Sequence, residues 1–566
     1  MSKHIGMSFL ILLALVAGCS PSGAPTAGKT EGSASRTPKR VAAAIWNNPA
    51  SLVGRMNTRA GSPGQGALEQ LVLSGLSETA GDGTFQPLLA EAVPTVENGL
   101  WRLHPDGRMD TTWRIRAGAV WHDSTPLTAD DLVFTTVVDQ DRELPILRDG
   151  GYQSVERVEA VDAQTVVVHW SRPYINANTM FGTGGGGSSF ASPLPKHLLE
   201  ETYLQNKSAF QAMSFWNQQF VGTGPFKVRE FEPGSHVALV ANDQYVLGRP
   251  LIDEFVVKFI LDLDTMIAGL LAGSVDLNLG RSFSAEHAID MRQRWREGEV
   301  RVIPRAWITI YPQFMNSNPA VVGDVRFRKA LMHAIDRQQL QEVLEGGLTQ
   351  VAHVFLNPSE PEYKAVENRV VRYEYDPRKA SQMIEQLGHA KDAEGLYRDV
   401  AGQQLTLEMR TYGAKVSDQA SVSVADAWSQ LGIRTEPLIV PPQRYLNDLE
   451  YMATFPSFLM YRQPNSANDL QRSRIALTPT SETKFVGSNY ARYQNAEFNS
   501  LIDRFFITVP RAERIEILGQ IVAHISDQLN MMGLFYDTDT TMINKRLRNA
   551  NVTERGMWNV PLWDVS

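Results

Sequence analysis

An α/β fold spread over more than one domain is what this sequence predicts, on three observations. Its 566 residues exceed what one hydrophobic core organises, so two or three domains are expected. Helix and strand patterns alternate in its second half. Ala380, Met383, Ile384 and Leu387 share one helical face, started at Asp376-Pro377 and stopped at Gly388, and a helical run over 418–431 stops at Gly432 before a strand over 433–440. Between Gly222 and Leu277, finally, a hairpin, a third strand and a helix follow one another closely.

In chain order, Lys3 precedes an apolar run from Met7 to Ala17 and then Gly18-Cys19. That run is too short for a hydrocarbon core needing about 20 residues, so it reads as the core of a signal peptide. Cys19 is the only cysteine, which excludes a disulfide within one chain. Residues 20–40, rich in Ser, Gly, Ala, Thr and Pro, read as a flexible tether. Val41 to Trp46 is a buried strand leading into a loop at Asn47-Asn48-Pro49, and Leu68 to Leu76 is a short helix or strand. Trp113 to Arg116 alternates as an edge-facing strand. Thr128 and Asp131 form a capping box ahead of Leu132-Val133-Phe134, and Pro195 heads another helix.

Gly222, Gly224 and Pro225 make a rigid bend. Phe226 to Phe231 and Val237 to Leu239 pair around Pro233-Gly234, Phe255 to Leu261 is a strand, and a helix through Met266, Leu270 and Leu271 closes at Gly273. Ala306 to Asn316 alternates as a strand crossing into a further domain. Asp324 then caps a helix with Phe327, Leu331, Ala334 and Ile335 on one face.

Composition excludes several classes of function. The chain is 43% hydrophobic and 20% charged with a net charge of −8, and has no long basic run, so nucleic acid and anionic membrane surfaces are not expected partners. It has no G-x-S-x-G elbow, no P-loop and no H-E-x-x-H. Its eleven histidines are scattered, with no two within five residues. No catalytic set, metal site or cofactor is therefore expected. Gly182 to Gly187 contains G-x-G-x-x-G, but Pro193 and Pro195 follow before any helical pattern, whereas a dinucleotide fingerprint must open a helix. Trp46, Trp121, Trp216, Tyr311, Tyr412, Tyr461 and Trp558 stand at loop or strand ends, as candidate apolar walls of a pocket.

The ordered pieces of Gly222 to Leu277 resemble one family: extracellular solute-binding proteins of the oligopeptide and dipeptide class. The resemblance lies in Gly222 to Lys227, Pro233-Gly234, Asn242 to Tyr245, Gly248 to Asp253, Asp262 to Thr265 and Ala272 to Asp276. It continues in Pro87 to Glu91, in Ile115 to Asp131, where Ser124 replaces the family's usual glycine, and in Val325 to Arg337. The resemblance implies a two-lobed, periplasmic-binding-protein-like clamp with an extra subdomain in the first lobe. On that scheme 1–19 is the signal peptide with its lipobox and 20–40 the tether. Lobe I comprises 41–87, 205–305 and 540–566, the inserted subdomain 88–204, and lobe II 306–539.

Val16-Ala17-Gly18-Cys19 resembles a bacterial lipobox, which implies an exported protein lipidated at Cys19 and held to the membrane only through that anchor. The implied function is capture of a peptide or small-molecule ligand by a monomer, without enzymatic activity, for delivery to the transmembrane subunits of an ABC permease. A binding protein for a non-peptide anionic solute, or a hydrolase on the same fold, is the alternative. Trp46, Asn47, Tyr412, Tyr461, Arg462, Gln463 and Asp469 are the candidate ligand-binding residues. Peptide binders of this class place an aspartate just after an aromatic strand end to receive the ligand's ammonium group. Here Tyr461 is followed by Arg462 and Gln463, and the next acid is Asp469. An uncompensated buried ammonium is costly, so the departure favours an anionic ligand or a blocked or modified peptide, with the planar fork of Arg462 facing its carboxylate or phosphate.

Overall fold

A bend that brings backbone against backbone organises the first part of the chain. Any Cβ on Gly222 or Gly224 would lie 2.0 and 2.3 Å from backbone atoms of Val72, at the end of the helix Gln65–Val72. His122 ties this bend to the neighbouring subdomain. Its Nδ1 accepts from the Gly222 amide at 3.1 Å, and its Nε2 donates to the Gly224 carbonyl at 3.1 Å. That pattern needs a neutral ring, and burial pushes the imidazole down to about 4.

The computed structural model describes residues 37–56, 63–80, 84–146, 148, 150–183, 192–553 and 556–566. Cys19, most of the tether and Gly184 to Gly187 of the glycine-rich stretch lie outside the described residues. Strand β1 (Arg40–Ile45) is followed by the pair β2 (Ser77–Thr79) and β3 (Phe85–Pro87). A separate four-stranded sheet holds β4 (Trp101–Leu103), β5 (Met109–Arg114), β6 (Val155–Ala160) and β7 (Thr165–Trp170) in the order β4-β5-β7-β6. Here the edge-facing expectation for Trp113 fails, because β5 is central and the Trp113 ring is fully buried. Its second neighbour, β4, is only three residues long, too short to read from sequence.

The chain then returns through β8 (Phe226–Glu232), β9 (His236–Ala241), β10 (Glu254–Phe259) and β11 (Leu277–Asn278). Next come β12 (Gly298–Pro312), the small pair β13 (Ala390–Lys391) and β14 (Tyr397–Arg398), then β15 (Thr406–Thr411), β16 (Arg434–Ile439), β17 (Phe458–Pro464) and β18 (Met532–Asn544). Ten of these form one sheet, in the order β16-β15-β17-β12-β18-β11-β1-β10-β9-β8. The first lobe's strands occupy one end, the second lobe's the other, and the long antiparallel pair β12 and β18 runs through both. The crossing expected from Ala306 begins eight residues earlier, at Gly298, because the polar half of β12 pairs with Asp537 to Asn544. Register slips between Pro304 and Ala306 and between Ile308 and Thr309 bend the pair, as bulges do.

Candidate functional site

Strand direction locates the cleft. In the first lobe β1, β10 and β11 run parallel, and in the second β15, β16 and β17 do so. The register from β1 through β11 and β18 sets the end of β1 level with Arg301 of β12 (Ala43 faces Leu277, Leu277 faces Ile543, Ile543 faces Glu299). The end of β17, Pro464, faces Ala306. The carboxyl ends of both parallel sets therefore point at the same few residues of the crossing strands, from opposite sides. In open α/β sheets ligands bind outside those ends. The segment after β7 also touches the second half of the chain, through Asn176 Nδ2 donating to Asn468 Oδ1 at 2.8 Å and the Ile175 amide to the Phe506 carbonyl at 3.1 Å.

The second lobe supplies an aromatic wall. Tyr412 and Tyr461 share a face, since Thr411 pairs with Met460, and their ring centres are 5.4 Å apart. Tyr445 lies 5.1 Å from Tyr412, Tyr490 lies 5.1 Å from Tyr461, and Tyr311 lies 5.9 Å from Tyr490. Burial, then the neighbouring tyrosines, raise the phenols of Tyr412 and Tyr461, so these two are neutral. Gln463, two residues on and on the same face as Tyr461, is buried.

Arg462 points to the opposite face of β17. Its guanidinium donates to Asp537 and, at 3.1 Å, to Asp539, both on β18. Burial opposes its charge, and the two aspartates outweigh burial, holding the guanidinium above its ordinary value. Its fork is thus engaged by carboxylates of the chain itself, whereas the sequence suggested one belonging to the ligand. Asp539 also lies 3.7 Å from Arg305 on β12 and 4.0 Å from Arg281 after β11. One carboxylate therefore draws in arginines from the first lobe, the crossing strand and the second lobe. Glu345, at the end of the helix Arg337–Glu345, accepts from the Thr538 hydroxyl at 2.9 Å, and burial with the nearby Asp537 pushes its carboxyl up to about 9.

In the first lobe, Trp46 Nε1 donates to the Leu261 carbonyl at 2.7 Å and leaves the ring 37% exposed just past β1. Asn47 Oδ1 accepts from the Asn48 amide at 2.8 Å, while its buried Nδ2 has no hydrogen-bond partner. Asp469 does not wait for an ammonium group. It closes a capping box with Ser466, whose hydroxyl donates at 2.7 Å, and pairs with Arg472 at 3.0 Å. Trp121 and Trp216, taken with the pocket aromatics in the sequence, are core residues 0% and 3% exposed. Sequence reading missed Asp537, Asp539, Glu345 and Arg281. The signal for the two aspartates is their place in Asp537-Thr538-Asp539, a polar run inside an otherwise apolar strand. Among the described residues no group of three or more His, Cys, Asp or Glu could hold a metal ion, and no helix is long and apolar enough to cross a membrane.

A two-lobed α/β clamp with an aromatic wall and a charged floor at the crossing strands is the architecture of a ligand-enclosing binding protein. Residues 84–483 match the bacterial extracellular solute-binding proteins, family 5, middle, and the chain belongs to that family. It is 24% identical over 505 residues, covering 88% of this chain and 86% of the relative, to the oligopeptide-binding protein AppA of Bacillus subtilis. It is 23% identical over 464 residues, covering 78% of each, to the heme-binding protein A of Haemophilus influenzae. The fold matches the structure of the Bacillus subtilis AppA in complex with a nonapeptide, with a TM-score of 0.69, 22% identity and coverage of 94% of this chain and 100% of that one.

Proposed function

We propose that this protein is the substrate-binding component of an ABC importer, enclosing a peptide or peptide-like solute between its lobes and handing it to the permease. The observation that carries the reading is the convergence of both sets of strand ends on one stretch of the crossing pair, beside a wall of tyrosines. Aromatic rings accept varied side chains. Capture and release need no covalent step, so the protein acts as a binder and not as an enzyme, without metal or cofactor. It works as a monomer, exported and anchored through diacylglycerol on Cys19. A single acyl chain anchors only marginally, so two or more are required.

Arg281 favours a second reading, an anionic solute. It is 43% exposed in its side chain and only loosely compensated by Asp539, so a ligand carboxylate or phosphate would complete its pairing. A calorimetric titration with peptide pools, N-acylated peptides and small anions separates the readings. Tight binding of free peptides supports the first, and tight binding of the anions alone supports the second. Cys19→Ser should release the protein from the membrane fraction or leave a precursor; unchanged processing and fractionation would remove the anchor from the account.

A further inference from the structure

A cavity of about 200 Å³ lies in the first lobe away from the cleft. Its place follows from the sheet. Tyr245 comes after the end of β9, and β9 ends opposite the start of β10, with Val240 facing Glu254, so this is the end of the lobe opposite the cleft. Ser74, Glu78 and Tyr245, with Gln70, Thr183 and Asn559, are its polar residues. Leu88, Met557 and Val560 give apolar walls, and Leu247 and Leu562, 44% and 59% exposed, stand at its rim.

The polar groups are unequal. Ser74 Oγ and the Tyr245 hydroxyl bond to each other at 3.0 Å, in buried surroundings. Glu78 is held by its backbone, facing Gln86 in β3 and bridging to Thr183, while its carboxyl has no hydrogen-bond or ion-pair partner among the described residues. Arg116, a cation felt by Tyr245, has its Nε engaged with the Leu88 carbonyl at 2.8 Å. A carboxyl set among apolar walls without a partner is unfavourable unless something supplies a donor. Burial holds it up at about 7, on the edge of ionisation in neutral solution.

We propose that this cavity is a binding site for a small organic amine, whose ammonium group pairs with Glu78 while its alkyl or aryl body lies against Leu88, Met557 and Val560. A volume of about 200 Å³ admits one ring or short chain. Because Met557 and Val560 belong to the chain's return to the first lobe, an occupant joins that return to β2. The site is separate from the cleft ligand and does not depend on its identity.

The probe is benzylamine, with benzyl alcohol as its neutral counterpart, on the purified full chain. Benzylamine should bind more tightly than the alcohol by at least tenfold at pH 8, with affinity falling as pH drops through 7 and Glu78 takes up a proton. Glu78→Gln should remove that preference. Hydrogen exchange of the unmodified chain gives a readout independent of the variant's folding: benzylamine should slow exchange in peptides covering 74–79 and 557–562. Equal binding of amine and alcohol, an unchanged preference in Glu78→Gln, or no protection in those segments would each overturn the assignment.

Discussion

Tyr461 and Arg462 are neighbours on β17, yet they belong to regions built on opposite rules. The tyrosine side packs uncharged rings in tilted and edge-to-face contacts, which on the proposed reading would tolerate different ligand side chains. The arginine side is ionic, buried and joined to both lobes through Asp539. A buried ion pair gives little net stability against an apolar replacement, but losing one partner is costly. The contrast teaches that, on the proposed reading, recognition and lobe coupling occupy opposite faces of one strand. The wall suits selecting ligand, and the floor suits holding the crossing strands in register at the bend.

The comparison can be broken from the floor first. Arg462→Ala leaves Asp537 and Asp539 facing each other in a buried site and should cost about 3–5 kcal/mol in denaturant unfolding, far more than a wall residue of similar exposure. A loss below about 1 kcal/mol would move the pair to the screened surface class. Next comes pH. The Glu345 carboxyl is raised from 4.5 to about 9, so between those values the folded protein holds more protons than the unfolded chain. The contribution of Glu345 to stability should therefore fall as pH rises through that window, by up to about 1.4 kcal/mol per unit. Glu345→Gln keeps an acceptor for Thr538 and should remove this contribution; a stability difference between wild type and Glu345→Gln that stays constant from pH 5 to 8 would contradict the assignment.

Effects on the wall should be smaller and should appear in binding. Tyr412→Ala is expected to weaken ligand by about 0.5–1.5 kcal/mol through the lost ring contact, with Tyr412→Phe near wild type, as calorimetry would read. If Phe costs more than Ala, the hydroxyl and not the ring carries recognition. Smallest of all, Asp469→Ala should lower stability by about 0.5–1 kcal/mol through the lost capping box while leaving affinity unchanged. A large loss of affinity there would restore Asp469 as a ligand contact.

Much of the fold was legible because its signals are local. The Pro233-Gly234 hairpin joins β8 to β9 with Gly234 at φ 78°, and Gly273, Gly388 and Gly432 close their helices at φ 70°, 89° and 106°. Asp324, Asp376 and the Thr128/Asp131 box cap where the sequence placed them. Even Ser124, standing where the family prefers glycine, adopts φ 73° and keeps the turn, with its hydroxyl donating to Gln244 at 2.8 Å. The floor was not legible. Asp537 meets Arg462 across 75 positions of chain, through β12, and the meeting depends on register slips that no local pattern announces. For the same reason Tyr311, Tyr412 and Tyr461 were legible as candidate pocket aromatics, while their meeting in one wall with Tyr445 and Tyr490 was not, since the five rings come from five separate segments.

The central claim is that ligand is enclosed between lobes joined by β12 and β18. Small-angle scattering, with and without a saturating ligand whose binding calorimetry has verified, tests it directly. Enclosure predicts a smaller radius of gyration with ligand in the wild type and a reduced change in Arg462→Met, which disconnects the floor. Identical dimensions in the free and saturated wild type would contradict it.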